Sequence, residues 1–327
     1  MKAIVIPKFG GAEVLELREV PEPEYGPEDL LVAVRATALN RADLLQRLGL
    51  YPQPGPKPEH DIPGLEYAGE VVRVGSRVAG FAVGDRVMGI LSGASYAEKI
   101  VTHHRLAVHV PAGLSWHEAA AIPEAFITAH DALSQCSVGC GESVLVHAVG
   151  SGVGAAAVQV AKTLGATPVL GTAGSADKIA AAKKLGLDVG IDYKNEDFVE
   201  AAKRATGGRG VDVIVDFIAA AYLERNVRAL ASCGRIVVIG LLGGTRAELD
   251  LATLLAKRAS IRGTLLRARS LEEKAAATRA FEKAVLPHIV SGRIRPVVDA
   301  VYPLARAADA HRYMESNANF GKIILEL

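Results

Sequence analysis

Cysteine is scarce in this chain. Cys136, Cys140 and Cys233 are its only three in 327 residues. They are too few and too unevenly spaced for a disulfide framework or a cysteine-rich zinc lobe. Cys136 and Cys140 stand four apart and could pair as ligands, but they read better as reduced thiols near a helix end. An excess of charge is missing too: Lys plus Arg is 37 against 36 for Asp plus Glu, a formal net charge of +1. With no basic block, nothing points to nucleic acid. There is no internal repeat, low-complexity segment or long linker. The opening apolar run, Met-Lys-Ala-Ile-Val-Ile-Pro, is too short for a signal peptide, so the expected location is the cytoplasm. Ser143–Ala161 carries no formal charge, but its glycines, histidine and glutamine suit a parallel-sheet core better than lipid. What remains is a globular composition, 50% hydrophobic and 22% charged, of a length that suits two domains.

The chain is organised around residues 143–162. A short apolar run (Val144, Leu145, Val146) leads into Gly150, Gly152 and Gly154 and out through an alanine-rich segment. Strand, glycine turn and helix in that order suit a dinucleotide. The turn lets the backbone approach a pyrophosphate, and the helix start offers unpaired N–H groups with a partial positive charge. Gly150-x-Gly152-x-x-Ala155 fits the Gly-x-Gly-x-x-Gly/Ala fingerprint. The pattern alone is weak, but the strand–helix units that follow it strengthen it.

Residues 1–110 predict a barrel-like β domain, with strands over 2–6, 14–20, 30–36, 67–74, 86–90 and 96–101. Asn40 reads as the cap of a short helix over 41–48, and the proline-rich run from Tyr51 to Pro58 as extended surface chain. Ser115-Trp-His-Glu118 is a capping-box pattern opening a helix to Ile122, with a second helix over 125–135. From 143 to 264 the texture alternates. Strands are expected at 143–149, 167–171, 189–192, 211–216, 234–240 and 260–265, with helices near 152–164, 175–185, 196–205, 220–230 and 251–257. That makes an α/β fold with a doubly wound parallel sheet. Helices over 270–285 and 307–315 follow, and Gly321-Lys-Ile-Ile-Leu-Glu-Leu closes the chain as a strand that returns to the first domain.

Five stretches carry a family resemblance: Ala38-Leu-Asn-Arg-Ala-Asp43, Gly64-Leu-Glu-Tyr-Ala-Gly-Glu-Val-Val72, the Gly150–Gly154 turn with Gln159 and Lys162, Gly171-Thr-Ala-Gly-Ser175, and the closing Gly-Lys-Ile-Ile-Leu. The chain resembles the medium-chain dehydrogenase/reductase superfamily, and within it the zinc-free quinone oxidoreductases, the zeta-crystallin group. Pro123-Glu-Ala-Phe-Ile-Thr128, Leu265-Leu-Arg and Tyr313-Met-Glu-Ser-Asn are most similar to the p53-inducible quinone oxidoreductase branch. The likeness runs the length of the chain. It implies a GroES-like β-barrel catalytic domain (1–124 and 266–327), a Rossmann NADPH-binding domain (125–265), a cleft between them, and a homodimer or higher oligomer. The group has glycine where this turn has Ser151; a serine there fits a tight turn and can donate to phosphate, so altered geometry with retained binding is expected.

Zinc-dependent relatives carry Gly-His-Glu and an upstream cysteine, where this chain has Gly64-Leu65-Glu66 and Asn40. A catalytic zinc takes three His, Cys or carboxylate ligands around an open position, so no metal is expected. His103, His104 and His109 read as solvated or satisfied rather than ligating. An NAD enzyme places Asp or Glu at the end of the second parallel strand. Here that region is Gly171-Thr172-Ala-Gly-Ser175 with no carboxylate, and Asp177 falls in the first turn of the next helix. A cation and hydroxyls suit a 2′-phosphate, and Lys178 and Tyr193 match the family residues that hold it, with Ser175 beside them. The expected cofactor is therefore NADPH, bound by Gly150, Ser151, Gly152, Val153, Gly154, Gly171, Thr172, Ser175, Lys178 and Tyr193. The resemblance places Gly240, Leu241, Leu242, Leu265 and Leu266 on the nicotinamide side, and Asn40, Tyr51 and Thr128 facing the nicotinamide or acceptor. His60 and Tyr67 are weaker candidates. Arg267 and Asn317–Asn319 are expected to reach the phosphates or close the cleft. Without a strong electrophile, the acceptor should already be electron-poor: a quinone, or an alkene conjugated to a carbonyl or thioester. A cofactor-binding protein without turnover is the reading from another class.

Overall fold

The computed structural model describes the whole chain except Pro52, Pro56 and Lys57. Part of the proline-rich run expected to be extended surface chain falls on those residues and so lies outside the described ones. The chain divides into two units. The first holds Met1–Ile127, Leu266–Lys283 and Pro296–Leu327, and the second holds Thr128–Leu265 and Ala284–Arg295. The sequence reading put Ala284–Arg295 with the first unit. Gln159 explains its place: its amide donates to the Arg295 carbonyl at 2.9 Å and accepts from the Arg295 N–H at 2.9 Å, binding that segment to the helix Gly152–Thr163.

In the first unit a seven-stranded sheet is built on Asp29–Ala38. That strand pairs antiparallel with Glu66–Val74, with Lys99–His103 through residues 29–33, and with Lys322–Glu326 through residues 36–38. One long apolar strand thus serves three partners, and the late strand Lys322–Glu326 joins early ones. Leu30, Val32, Tyr67, Val71, Val87 and Ile100 pack together in its core. The sequence reading missed two short strands, Ala107–His109 and Val298–Pro303. The second alternates half-buried and exposed residues on the rim and ends at a proline, the pattern of an edge strand.

Both capping readings stand. Ser115 caps Trp116–Ala120 through a capping box with Glu118. Asn40 is the N-cap of Arg41–Arg47, in a capping box with Asp43, which accepts from the Asn40 N–H. The Asn40 amide also meets buried charges described below.

The second unit is a six-stranded parallel sheet: Val144–Val146, Val169–Ala173, Val189–Asp192, Val211–Asp216, Leu230–Val238 and Ser260–Gly263. In space the order is third, second, first, fourth, fifth, sixth, the doubly wound dinucleotide-binding arrangement. The first strand is buried at all three positions, as a strand sandwiched between layers must be. The fifth begins at Leu230, before the expected residue 234. A register shift in its pairing with the fourth and a left-handed Cys233 (φ 61) let the strand run on through the irregularity.

Candidate dinucleotide site and a buried polar cluster

In the second unit the glycine turn leaves the first strand. Ser151 is the N-cap of Gly152–Thr163, its hydroxyl accepting from the Gly154 N–H at 3.0 Å. The serine that replaces the family glycine is thus a helix cap that keeps its own proton to donate. A helix start leaves its first N–H groups without intrahelical partners, and the cap satisfies that of Gly154, leaving those of Gly152 and Val153 for an anion. The glycines answer to close approach. A Cβ at Gly154 would stand 2.3 Å from the Ala148 carbonyl oxygen, and one at Gly171 2.3 Å from the Val149 side chain.

The structure brings several candidates together here. The stem of Lys178 crosses Gly150, with Cδ 2.9 Å from where a Cβ would be. The Tyr193 hydroxyl lies 2.8 Å from the corresponding point on Gly174, with the Lys194 side chain at 3.3 Å. Ser175 caps the helix Ala176–Lys183 that carries Lys178. Asp192, the nearest carboxylate by sequence on the third strand, is turned to its own loop, accepting from the Lys194 N–H and the Asn195 amide. Lys194 was not singled out from sequence; its signal was its place next to Tyr193. Gly240 presses on the Phe217 carbonyl, and Leu241 and Leu242 after it are exposed. Leu265 is also exposed, and Leu266 is buried. Thr128 is half-buried on the helix Pro123–Gln135.

The first unit holds the other candidates, and there several expectations change. Glu66 is fully buried and accepts from Asn40 Nδ2 at 2.9 Å and from the Glu124 N–H at 2.8 Å, while Lys322 Nζ pairs with it at 2.6 Å. Lys322 also donates to Asn40 Oδ1 and to the Leu39 carbonyl. The Asn40 amide therefore gives its two donors to Glu66 and Ala38. Tyr67 is at 0% exposure inside the sheet core, so it faces no acceptor. Arg267 is buried and donates to the carbonyls of Ser92 and Tyr51 and to Gln46 Oε1, with its guanidinium 4.8 Å from the Tyr51 ring centre. Those donors are spent inside the unit rather than on phosphates. Asn319 is buried with its amide on the Gly321 carbonyl, and Asn317 accepts from Arg41. Burial, and then the charge of Glu124, raise the Tyr51 pKa, so its hydroxyl keeps its proton. His60 is half-buried beside Glu59. His103 stacks on His104 and accepts from the Arg105 N–H, and His109 stacks on Phe81.

A second buried cluster lies close by, and sequence gave no hint of it. Asp43 accepts from the N–H groups of Asn40 and Gly64 and from the Tyr96 hydroxyl. Tyr96 also meets His311 Nε2 at 3.3 Å, and Arg47 donates to His311 Nδ1 at 3.3 Å. Because Arg47 can only donate, the His311 proton sits on Nε2. Burial raises the Asp43 pKa to about 6, against the pull of the Asn40 N–H and the Lys322 charge. Burial and then Arg47 hold His311 down at about 3.

The chain matches the zinc-binding dehydrogenase family over residues 152–282 and the alcohol dehydrogenase GroES-like domain over 26–131. It is 33% identical to a quinone oxidoreductase of Lama guanicoe over 335 aligned positions, covering 100% of this chain and 98% of that one. The chain belongs to the medium-chain dehydrogenase/reductase superfamily. Solved structures of the superfamily agree in fold. An NAD-dependent alcohol dehydrogenase superposes with a TM-score of 0.90 at 36% identity, covering 100% of both chains. The Escherichia coli quinone oxidoreductase complexed with NADPH gives 0.90 at 32% identity, again over 100% of both.

For zinc, this superfamily member has an unsuitable set of side chains. Leu65 offers no ligand atom, and Glu66 is committed to Lys322, Asn40 and the Glu124 N–H. Among the described residues no three His, Cys, Asp or Glu side chains gather to hold a metal, and no helix is long and apolar enough to cross a membrane. A dinucleotide fits better: Ser151 caps the start of Gly152–Thr163 through the Gly154 N–H, and the Gly152 and Val153 N–H groups of that first turn have no intrahelical partner.

Two outcomes follow. Replacing Lys322 by Met should cost about 3–5 kcal/mol by urea unfolding, because it strands a buried carboxylate. Adding Glu66→Gln should return part of that, and a single-variant loss under about 1 kcal/mol would refute the assignment. The second concerns pH. A carboxyl raised to about 6 binds its proton more tightly folded than unfolded, so Asp43 makes stability fall as pH rises from its ordinary 3.8 to about 6. His311 acts oppositely: below its ordinary 6.5 the unfolded ring takes a proton that the folded ring, held near 3, refuses. Relative to wild type, Asp43→Asn should lose stability on acidification from about pH 6.5 to about pH 4.5, and His311→Gln should gain it. Unfolding midpoints at the two pH values decide, and parallel behaviour of all three proteins would sink the scheme.

Proposed function

We propose that this protein is an NADPH-dependent, zinc-independent reductase of electron-poor quinones. The observation that carries the reading is the meeting of the Lys178 stem with Gly150 and the Tyr193 hydroxyl with Gly174 around a strand end, 171–175, without a carboxylate. A cation and hydroxyls recognise a 2′-phosphate where a carboxylate would repel it. The NADPH complex of the Escherichia coli relative supports the same choice. Cofactor binding is assigned to the second unit and the acceptor to the first.

Bound NADPH supplies a hydride, and the balanced reaction is quinone plus NADPH plus H⁺ giving hydroquinone plus NADP⁺. The chain's own task is to bind, orient and keep out water. Asn40 has its amide donors committed to Glu66 and Ala38, so it offers no strong polarising group. Tyr51 keeps a phenolic proton to hydrogen-bond an acceptor oxygen. Weak polarisation favours an acceptor that already attracts electrons. A conjugated enone or enoyl thioester is the other acceptor class with that property.

NADPH and NADH are titrated by fluorescence, and 1,2-quinones, 1,4-quinones and a small enone are then added while cofactor absorbance is followed. NADPH preference with quinone-dependent oxidation is expected. Lys178→Ala should weaken NADPH about tenfold or more while sparing NADH, the size of one charge-assisted hydrogen bond. Preference for NADH, as the name of the alcohol dehydrogenase neighbour would have it, overturns the phosphate argument. Turnover of the enone alone moves the acceptor class, and binding without turnover removes the enzyme.

The protein is also assigned as a homodimer. Ser260–Gly263 is the terminal strand of the parallel sheet and is exposed at all four residues, with Leu251 at 68% and Leu255 at 80% exposure on the helix before it. A bare apolar edge of this kind pairs with another chain unless it is blocked. Ile261→Lys should give a monomer by sedimentation velocity, and a monomeric wild type would remove the assignment.

A further inference from the structure

The run Ser143–Ala161 holds one titratable side chain, His147, and the dinucleotide reading gives it no part. It is fully buried at the end of the first parallel strand. Its Nε2 lies 2.7 Å from Asn226 Oδ1 and its Nδ1 lies 3.1 Å from Thr172 Oγ1. Asn226 donates through Nδ2 to Asp216 Oδ2 at 3.0 Å. That leaves Asn226 Oδ1 as an acceptor, so His147 carries its proton on Nε2. Nδ1 then accepts from the Thr172 hydroxyl, which is free to accept in turn from the Ala148 N–H at 3.2 Å. Every member has one orientation. Burial lowers the pKa of His147 against the pull of the Asp216 charge, which keeps the neutral ring the chain of bonds needs. Phe198 and Tyr222 close on the ring edge-on.

Both ends of this chain finish on strained backbone. Ala148 has φ 50 and Ala219 has φ 64, a region alanine seldom visits. Thr172 holds the Ala148 N–H, and the Ser151 N–H holds its carbonyl at 2.9 Å. That same carbonyl is the atom packed against Gly154. At the other end Asp216 Oδ1 accepts from Ile218 and Ala219. The short turn that follows takes the carbonyls of Gly243 and Gly244 as partners for Ala221 and Ala220. A single file of bonds thus joins the glycine turn to the loop that carries Gly240, Leu241 and Leu242. Strained residues persist where their surroundings over-determine them.

We propose that His147 is a positioning residue for the cofactor: through Thr172 and Asn226 it holds Ala148 and Ala219 in their left-handed conformations, and so sets both dinucleotide loops in binding geometry. The proposal rests on the reading of that turn as an NADPH site. It differs from a core-packing role because breaking one bond should change cofactor affinity while the fold survives.

Thr172→Val removes one hydroxyl at nearly constant volume, and His147→Leu removes both imidazole bonds. NADPH dissociation constants by fluorescence, KM for NADPH and kcat with a 1,4-benzoquinone, and the melting temperature are measured for each. Each variant should bind NADPH about tenfold more weakly. KM for NADPH should rise in step, since the loss lies in binding. Ala148→Gly placed in the Thr172→Val background should recover most of the affinity, because glycine adopts positive φ without support. Unchanged NADPH affinity in Thr172→Val, or a loss that Ala148→Gly does not touch, overturns the proposal whatever the melting temperature does. Failure of the wild type to bind either dinucleotide overturns the functional reading and this inference together.

Discussion

Glu66 carries its carboxylate where no water reaches it, and much of the first unit follows from how that group is held. A buried carboxylate without partners is too costly for a marginally stable domain to keep. Lys322 brings the opposite charge from the last strand, Asn40 brings an amide from the end of the central strand, and Glu124 brings a backbone N–H from the start of a helix. Three distant segments are thereby tied to one point. The hydrophobic effect would bury all three, but it has no direction. The charge adds the registration: the lysine meets both Glu66 and Asn40 only when Lys322–Glu326 pairs with residues 36–38 of the central strand.

The second unit solves a different problem. A dinucleotide needs bare backbone at the carboxyl ends of parallel strands, and bare backbone is what a protein interior least tolerates. The chain meets this with glycines where atoms must approach and with side-chain acceptors where N–H groups would be left over. Ser151 takes the Gly154 N–H and Asp216 takes those of Ile218 and Ala219. Each of these partners lies within a few residues of what it satisfies. The arrangement is local, so the second unit can be rigid near its glycines without a large apolar cover there.

Local origin also explains what could be read from sequence. The parallel strands and their helices were legible because hydrophobic runs, glycine punctuation and capping residues are short-range signals; Ala307–Glu315 and the Ser115–Glu118 box stand where those signals put them. The glycine turn was legible through its motif, and Lys178 and Tyr193, expected from the resemblance, lie against Gly150 and Gly174. What was hidden is what depends on partners far apart in sequence. Asn40 is the cap it looks like, yet its amide also joins Glu66 and Lys322. Tyr67 and Arg267 have the look of cleft residues, yet the sheet core and the Tyr51 and Ser92 carbonyls take them. Gln159 was read as a family mark, and its hold on Arg295 moved a whole segment from one unit to the other.

The pairing of Lys322–Glu326 with Asp29–Ala38 bears on synthesis. As the chain leaves the ribosome, the six parallel strands of the second unit are all present by Gly263, whereas the first unit still lacks two members of its sheet, Val298–Pro303 and Lys322–Glu326. Domains generally fold as units, amino-terminal ones first, and here that order is inverted by topology. Until Lys322 emerges, Glu66 lacks the charge that it pairs with in the fold. A chain that stops before Lys322 therefore lacks both the strand that pairs with residues 36–38 and the charge that meets Glu66.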